Sequence, residues 1–264
     1  MTSTEALITA ARRYCMEHYH YWVTRYSKER TGQDYPVYSY SDNDYDLFPR
    51  YNILAAILGE IEILVGKPFP SLSDCRASLI QTGRSANSSL TDRKDNPIES
   101  AAIQQERDKF IQFIDTVTPA MLEQTLPLPY RRRLEDAEKS AVYQVLLERW
   151  NYDGGYWDPI DNLSPVEIIY LAKAEITSAD FQAISGFIRE HAAAHLLEAT
   201  EEGIITEISS GDFHLDSDET VFCDCNYQWL VYVSHESTVT FAGEALLVFI
   251  KHLFAGRESL LYPR

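Results

Sequence analysis

The last sixty residues constrain the fold most, because four short strand patterns precede an apolar helix there. The patterns cover residues 203–208, 220–225, 228–234 and 238–241, and three residues join the last two, a length typical of a β-hairpin. Both faces of the 228–234 pattern are apolar, which predicts a strand in the centre of its sheet. The closing segment, EALLVFIKHLF, is apolar nearly all round, so we expect it to pack on that sheet.

The first half of the chain is predicted to be helical. Thr2 and Glu5 form a capping box for a helix that ends before Gly32. A second helix has Pro49 in its first turn and ends at Gly66, and a third covers residues 72–82. A fourth follows Pro97 and is broken by Pro119.

The middle of the chain mixes patterns. We expect a strand at 130–134, a helix at 135–150 and a helix from about 179 to 200. Residues 166–174 (VEIIYLAKA) fit a buried strand, with a helix capped by Ser164 as the alternative. The predicted class is therefore α+β, with a helical N-terminal half and a small, mostly antiparallel sheet with packed helices in the C-terminal half. The halves are residues 1–126 and 127–264, as two domains or one continuous domain.

The sequence predicts a cytoplasmic protein. No stretch reaches the roughly 20 apolar residues of a membrane span, and the N-terminus lacks the features of a secretory signal. The four cysteines are few for 264 residues. Cys223 and Cys225 are too close for an ordinary structural disulfide and lack the second Cys/His pair of a zinc site, so we expect reduced thiols on one face of a strand.

The negative charge is concentrated in one region. The formal net charge is −17, from 40 acidic and 23 basic residues. Residues 190–250 contain 12 acidic residues and no Lys or Arg, and the rest of the chain has 28 acidic and 23 basic residues. This acidity argues against binding to a phosphate backbone. It favours either a solvated surface or a docking face for a basic partner. The basic triplet 131–133 alternates between faces if it forms a strand.

A metal site is the first of three chemical hypotheses. His191 and His195 are four residues apart, so a helix would place both imidazoles on one face, with Glu198 one turn further on. The alternative is an ordinary helix face that carries two histidines. No cofactor is expected from the sequence.

A nucleophile is the second hypothesis, at Ser234-His235-Glu236. Adjacent residues of a strand point to opposite faces, so Ser234 and His235 do not readily share a proton. The trio more plausibly fixes the hairpin turn by hydrogen bonds.

Partner binding is the third hypothesis. Nine of the 17 tyrosines lie between residues 14 and 51, and tyrosine is favoured in interfaces. Many of these tyrosines are expected in the core. The residues we expect to contact a partner are Tyr35, Tyr38, Tyr40, Tyr45, Asp212, Asp216, Asp218, Glu219, His235 and Glu236.

Three stretches together resemble a group of bacterial proteins of similar size without an established function. They are LFPRYNIL at 47–54, LPYRRRL at 128–134 with ERW and GYW downstream, and WLVYVSHE at 229–236 leading into TVTFAG. The resemblance covers most of the chain. It implies a bacterial, cytosolic origin and brings no reaction, cofactor or partner.

These observations favour an acidic, non-enzymatic interaction protein that binds, and in the manner of an immunity protein or inhibitor neutralises, a basic protein. Two alternatives remain. The first is a metal-dependent hydrolase that uses the helix with His191 and His195. The second is an acidic protein that mimics nucleic acid, which requires carboxylates spaced like phosphates.

Overall fold

The computed structural model describes residues 1–32, 39–92, 95–155, 157, 167–192 and 194–263. The chain divides into two compact units, Met1–Leu128 and Pro129–Arg264. Within the described residues, the first unit contains helices and no strand, and the second contains the sheet with its packed helices. The predicted α+β class is confirmed.

The first unit is a bundle of helices. They are α1 (Ser3–Glu29), α2 (Asp42–Ile63), α3 (Leu72–Ser85), α4 (Pro97–Thr116) and the short α5 (Pro119–Glu123). The capping box of Thr2 and Glu5 begins α1 as predicted. Fully buried side chains from several helices form one core, among them Leu7, Ile53, Leu79 and Phe110.

The start of α2 corrects the sequence prediction. Ser41 caps the helix and Asp44 completes a capping box, so Pro49 lies inside α2 and not in its first turn. The buried Asp44 carboxylate also accepts hydrogen bonds from the Ser41 and Thr31 backbone N–H groups, at 2.8 and 3.1 Å. Because of these hydrogen bonds, α2 begins at Asp42, several residues before the repeating apolar positions from which the helix was predicted. Helix α4 ends before Pro119, and Pro119 is the first residue of the next helix, α5.

The second unit contains an eight-stranded sheet within the described residues. Its strands are β1 (Arg131–Arg133), β2 (Ile168–Ala172), β3 (His195–Thr200), β4 (Ile205–Ser209), β5 (Thr220–Asp224), β6 (Leu230–Val233), β7 (Thr238–Ala242) and β8 (Tyr262–Pro263). The strand order is β1-β4-β3-β5-β6-β7-β2-β8, and each described pair is antiparallel. The helices are α6 (Asp136–Trp150), α7 (Ser178–His191) and α8 (Glu244–Leu253).

Helices cover both faces of this sheet. Phe222, Val231 and Phe241 face α7 and α8, whereas Leu197, Leu230 and Tyr232 face α6. The prediction for 228–234 is confirmed, because β6 lies between β5 and β7 and all four of its residues are buried. The predicted packing of the closing helix is confirmed as well, through α8.

The predicted helix at 179–200 is confirmed as far as His191 and is wrong beyond it. Helix α7 ends at His191, and Ala192 has extended backbone angles (φ −81°, ψ 152°). Residues 195–200 form β3 instead, paired with β4 on one side and β5 on the other. Two rows of inter-strand hydrogen bonds thus outweigh the local helix preference. Residues 168–172 form the strand β2, while Ser164 lies outside the described residues.

The structure also bears on the predicted absence of a membrane span and on the state of the cysteines. No helix in the described ranges is both long and apolar enough to cross a membrane. All four cysteines are free thiols, of which Cys15, Cys75 and Cys223 are buried and Cys225 is half-buried.

Candidate functional site: an acidic end of the sheet

The strand register brings several separate acidic segments to one end of the sheet. Thr200 at the end of β3 pairs with Thr220 at the start of β5, and Thr220 pairs with Val233 at the end of β6. Val233 in turn pairs with Val239 near the start of β7. The turns that follow β3, precede β5 and join β6 to β7 therefore lie at the same end.

We call this place the acidic end. Its exposed carboxylates are Glu201, Glu202, Asp218 and Glu236, and it also contains the buried Glu219 and the exposed His235. Lys173, which follows β2 at the same end, donates its backbone N–H to the Ser237 carbonyl at 2.8 Å. Asp218, Glu219, His235 and Glu236 were predicted as binding residues, and the structure brings them together.

Glu219 is the centre of a hydrogen-bond network at the acidic end. It is 5% exposed, has a left-handed backbone (φ +46°) and contacts the β6–β7 hairpin through its side chain. Its carboxylate accepts hydrogen bonds from the Tyr232 hydroxyl, from His235 Nδ1 and, at 2.9 Å, from the His235 backbone N–H. A buried carboxylate with several donors is stably charged.

Ser234 completes the hairpin turn. Its hydroxyl donates to Glu219 at 3.5 Å and accepts the backbone N–H of Glu236 at 3.1 Å. Ser234 is itself 3% exposed. The side chains at 234 and 235 thus fix the turn by hydrogen bonds, and their carboxylate partner is Glu219 and not the adjacent Glu236.

These contacts shift the pKa values of both ionisable partners. The hydrogen bond to Glu219 raises the pKa of His235 above its ordinary 6.5, aided by the nearby charges of Glu219, Glu236 and Glu201. Burial alone would raise the pKa of Glu219. Its hydrogen bonds with the His235 backbone, Tyr232 and the His235 side chain outweigh burial and lower the pKa below the ordinary 4.5.

Four of the twelve carboxylates in residues 190–250 are engaged inside the unit. Glu198 pairs with Arg131 at 2.7 Å and with His214 at 3.3 Å, and Glu207 pairs with Arg132 at 2.7 Å. Asp224 accepts backbone hydrogen bonds and Glu219 belongs to the network above. The other eight are exposed: Glu190, Glu201, Glu202, Asp212, Asp216, Asp218, Glu236 and Glu244.

The basic triplet supplies the two arginines of those pairs. Arg131 and Arg132 are neighbours on β1, so their side chains point to opposite faces of the sheet, as predicted for a strand. Each neutralises a carboxylate on its own face, Glu198 for Arg131 and Glu207 for Arg132. The charge that remains unneutralised within residues 190–250 is therefore found on turns and helix ends.

The predicted metal ligands do not share a site. His191 ends α7 and stacks on Phe187, whereas His195 begins β3 and stacks on Tyr130, with ring centroids 3.9 and 4.0 Å apart. Glu198 is three residues beyond His195 on one strand, so the two side chains point to opposite faces. The helix that was to unite them is absent. In the part of the chain that the structure describes, no group of three His, Cys, Asp or Glu residues could hold a metal ion.

The remaining residues predicted to contact a partner are tyrosines of the Met1–Leu128 unit and two aspartates of the Pro129–Arg264 unit. Tyr40 and Tyr45 pack against each other and against Phe48, with ring centroids 5.4–5.8 Å apart, so these tyrosines form an aromatic cluster. Tyr35 and Tyr38 lie outside the described residues. Asp212 ends a short turn after β4. Asp216 lines a groove of about 480 Å³ together with Lys173 and Thr177.

Three residues of the acidic end, Glu201, Glu202 and Tyr232, were not among the predicted site residues. Glu201 and Glu202 follow a segment that was predicted to end a helix and instead forms β3, so the Glu-Glu-Gly turn was not recognised as one end of the sheet. No protein-family model matches the chain, and no curated protein or solved structure is significantly similar to it. The geometry of the acidic end is therefore the basis for a functional proposal.

Proposed function

We propose that this chain is an interaction protein whose acidic end docks on a basic protein, as an immunity protein or inhibitor docks on its target. The observation that carries the proposal is the convergence of exposed carboxylates from three separate turns around a hairpin that Glu219 fixes. A cytoplasmic location is part of the proposal, because four free thiols are typical of that compartment.

The charge distribution supports this choice of partner. The Met1–Leu128 unit has 17 acidic and 13 basic residues, and Pro129–Arg264 has 23 and 10, which gives −4 and −13. Such a concentrated negative field accelerates encounters with a basic protein and repels nucleic acid. Because the contacts are between exposed charges, binding should weaken as salt increases.

A capture experiment with charge-reversed variants tests the proposal. The test variant is E201K/E236K, which reverses two exposed carboxylates at the acidic end. The matched control is E148K/E190K, which makes the same change in net charge. Glu148 and Glu190 are exposed in the last turns of α6 and α7, where a lysine suits the helix dipole.

Wild type and E148K/E190K should recover a basic protein from a lysate of cells that naturally express the chain, at about 50 mM salt. E201K/E236K should lose it, and so should wild type at about 0.5 M salt, as judged by size-exclusion chromatography of the mixture. Any of three results would refute the proposal. E201K/E236K could recover the basic protein as well as wild type does, recovery by wild type could be the same at about 50 mM and about 0.5 M salt, or wild type could recover no basic protein.

A further inference from the structure

Two buried carboxylates hold the two ends of strand β6, and they differ in one respect. At the end away from the acidic end, Asp224 accepts the backbone N–H groups of Asn226, Gln228 and Trp229 at 3.0, 2.6 and 3.2 Å. At the acidic end, Glu219 accepts the His235 backbone N–H in the same way. We call each carboxylate with its backbone donors a clamp. Glu219 additionally contacts the His235 imidazole, which titrates near neutral pH, whereas the described partners of Asp224 are backbone N–H groups.

Among the described residues, those around His235 are predominantly acidic. Glu219 faces it from the turn before β5, Glu236 from its own turn and Glu201 from the turn after β3. The Tyr232 hydroxyl shares the Glu219 carboxylate with it, and Lys173 is the basic residue whose backbone bonds to the same hairpin. The imidazole side chain is 59% exposed, so protons reach it without unfolding.

We propose that the Glu219–His235 contact is a pH-sensitive clasp. Protonated His235 holds the β6–β7 hairpin against Glu219, and its deprotonation loosens that hairpin while the Asp224 clamp stays closed. The clasp would regulate the order of the proposed docking surface. The inference rests on the geometry of the acidic end, and its test requires no partner.

The direction of the pH effect follows from the two pKa shifts. The folded protein raises the pKa of His235, so the stabilisation is complete below about pH 6.5 and is lost as pH rises through the raised value. The pKa of Glu219 is lowered, so its stabilisation is present above about pH 4.5 and is lost as pH falls through the lowered value. The clasp is therefore tightest between about pH 4.5 and 6.5, and it opens on the alkaline side.

Amide hydrogen exchange at each end of β6 measures the clasp directly. Protection of the Ser234 and His235 amides, corrected for the intrinsic pH dependence of exchange, should fall about three- to tenfold between pH 5.5 and 8.5. Protection of the Gln228 and Trp229 amides should stay constant. In His235→Gln, the amides of residues 234 and 235 should show at every pH the low protection that wild type shows at about pH 8.5. The control is His252→Gln, at an exposed histidine in the last turn of α8, which should behave as wild type.

NMR titration of the imidazole provides the second measurement. The His235 ring should titrate above pH 6.5, and Glu219→Gln should lower that value. Three results would overturn the clasp: equal pH dependence at Ser234 and Trp229, pH dependence that persists in His235→Gln, or a His235 ring that titrates at or below pH 6.5. None of these results bears on whether E201K/E236K loses a basic partner, so the failure of the clasp and of the proposed function are distinguishable.

Discussion

Replacement of Arg50 by methionine should lower the free energy of unfolding of the Met1–Leu128 unit by about 3–5 kcal/mol. Arg50 on α2 pairs with Glu106 on α4 at 2.7 Å, and Glu106 is fully buried. Arg50 also donates to the Asp46 carboxylate and to Gln105, at 2.6 and 2.8 Å. The partly exposed Lys109 remains beside Glu106 at 2.7 Å and compensates only in part.

Exchange of the Ile53 and Phe110 amides reports on this unit, because both side chains lie in its core. Arg50→Met combined with Glu106→Leu removes both charges and should recover at least half of the loss. Arg25→Met is the control for an exposed pair, since Arg25 and Glu29 lie on the surface of α1. It should change the exchange rates less than twofold. A double variant no more stable than Arg50→Met would contradict the importance of the buried charge.

Replacement of Gly243 by alanine should destabilise the Pro129–Arg264 unit by about 3 kcal/mol or more. Gly243 joins β7 to α8 with φ +105°, a backbone conformation that L-residues rarely adopt. A Cβ atom there would lie 2.5 Å from the Gln228 carbonyl oxygen and 2.7 Å from Trp229 Cα. Strain and overlap with rigid backbone therefore add together.

Gly203→Ala is the matched control for this effect. Gly203 also has a positive φ, +72°, but a Cβ atom would meet nothing within 4 Å, so the expected cost is about 1 kcal/mol. The free energy of unfolding of both variants is measured by urea unfolding and by hydrogen exchange of the buried Val231 and Phe241 amides. The difference between the variants separates the cost of backbone strain from the cost of the Cβ overlap. Equal destabilisation by the two substitutions would show that the close approach to Trp229 is unimportant.

Elements with a strong local signal could be predicted from the sequence. The capping box at Thr2 begins α1, and the two apolar faces at 228–234 correctly place β6 inside the sheet. The boundary between α7 and β3 could not be predicted in this way. The residues around His191 and His195 continue a helical pattern, and β3 exists because β4 and β5 pair with both of its edges. Such pairing is a tertiary effect that a local pattern does not contain.

The candidate site was predicted in part for the same reason. The acidic region and the hairpin at His235 are visible in the sequence, and four of the ten residues predicted to contact a partner lie together at the acidic end. The carboxylate that contacts His235 is Glu219, sixteen residues away, and its approach depends on the register of β5 with β6. The proximity of Glu201 depends on β3 as well, a segment that the sequence analysis assigned to a helix.

NMR titration with a peptide of ten lysines tests the central proposal most directly. At about 50 mM salt, the amide shifts of Glu201, Glu202, Asp218 and Glu236 should change most, while those of Glu148 and Glu190 stay nearly constant. E201K/E236K should weaken binding of the peptide about tenfold or more, and E148K/E190K less than twofold. Shift changes of equal size at Glu148 and Glu190, or equal weakening by the two variants, would show that the peptide senses only net charge and would contradict a docking surface at the acidic end.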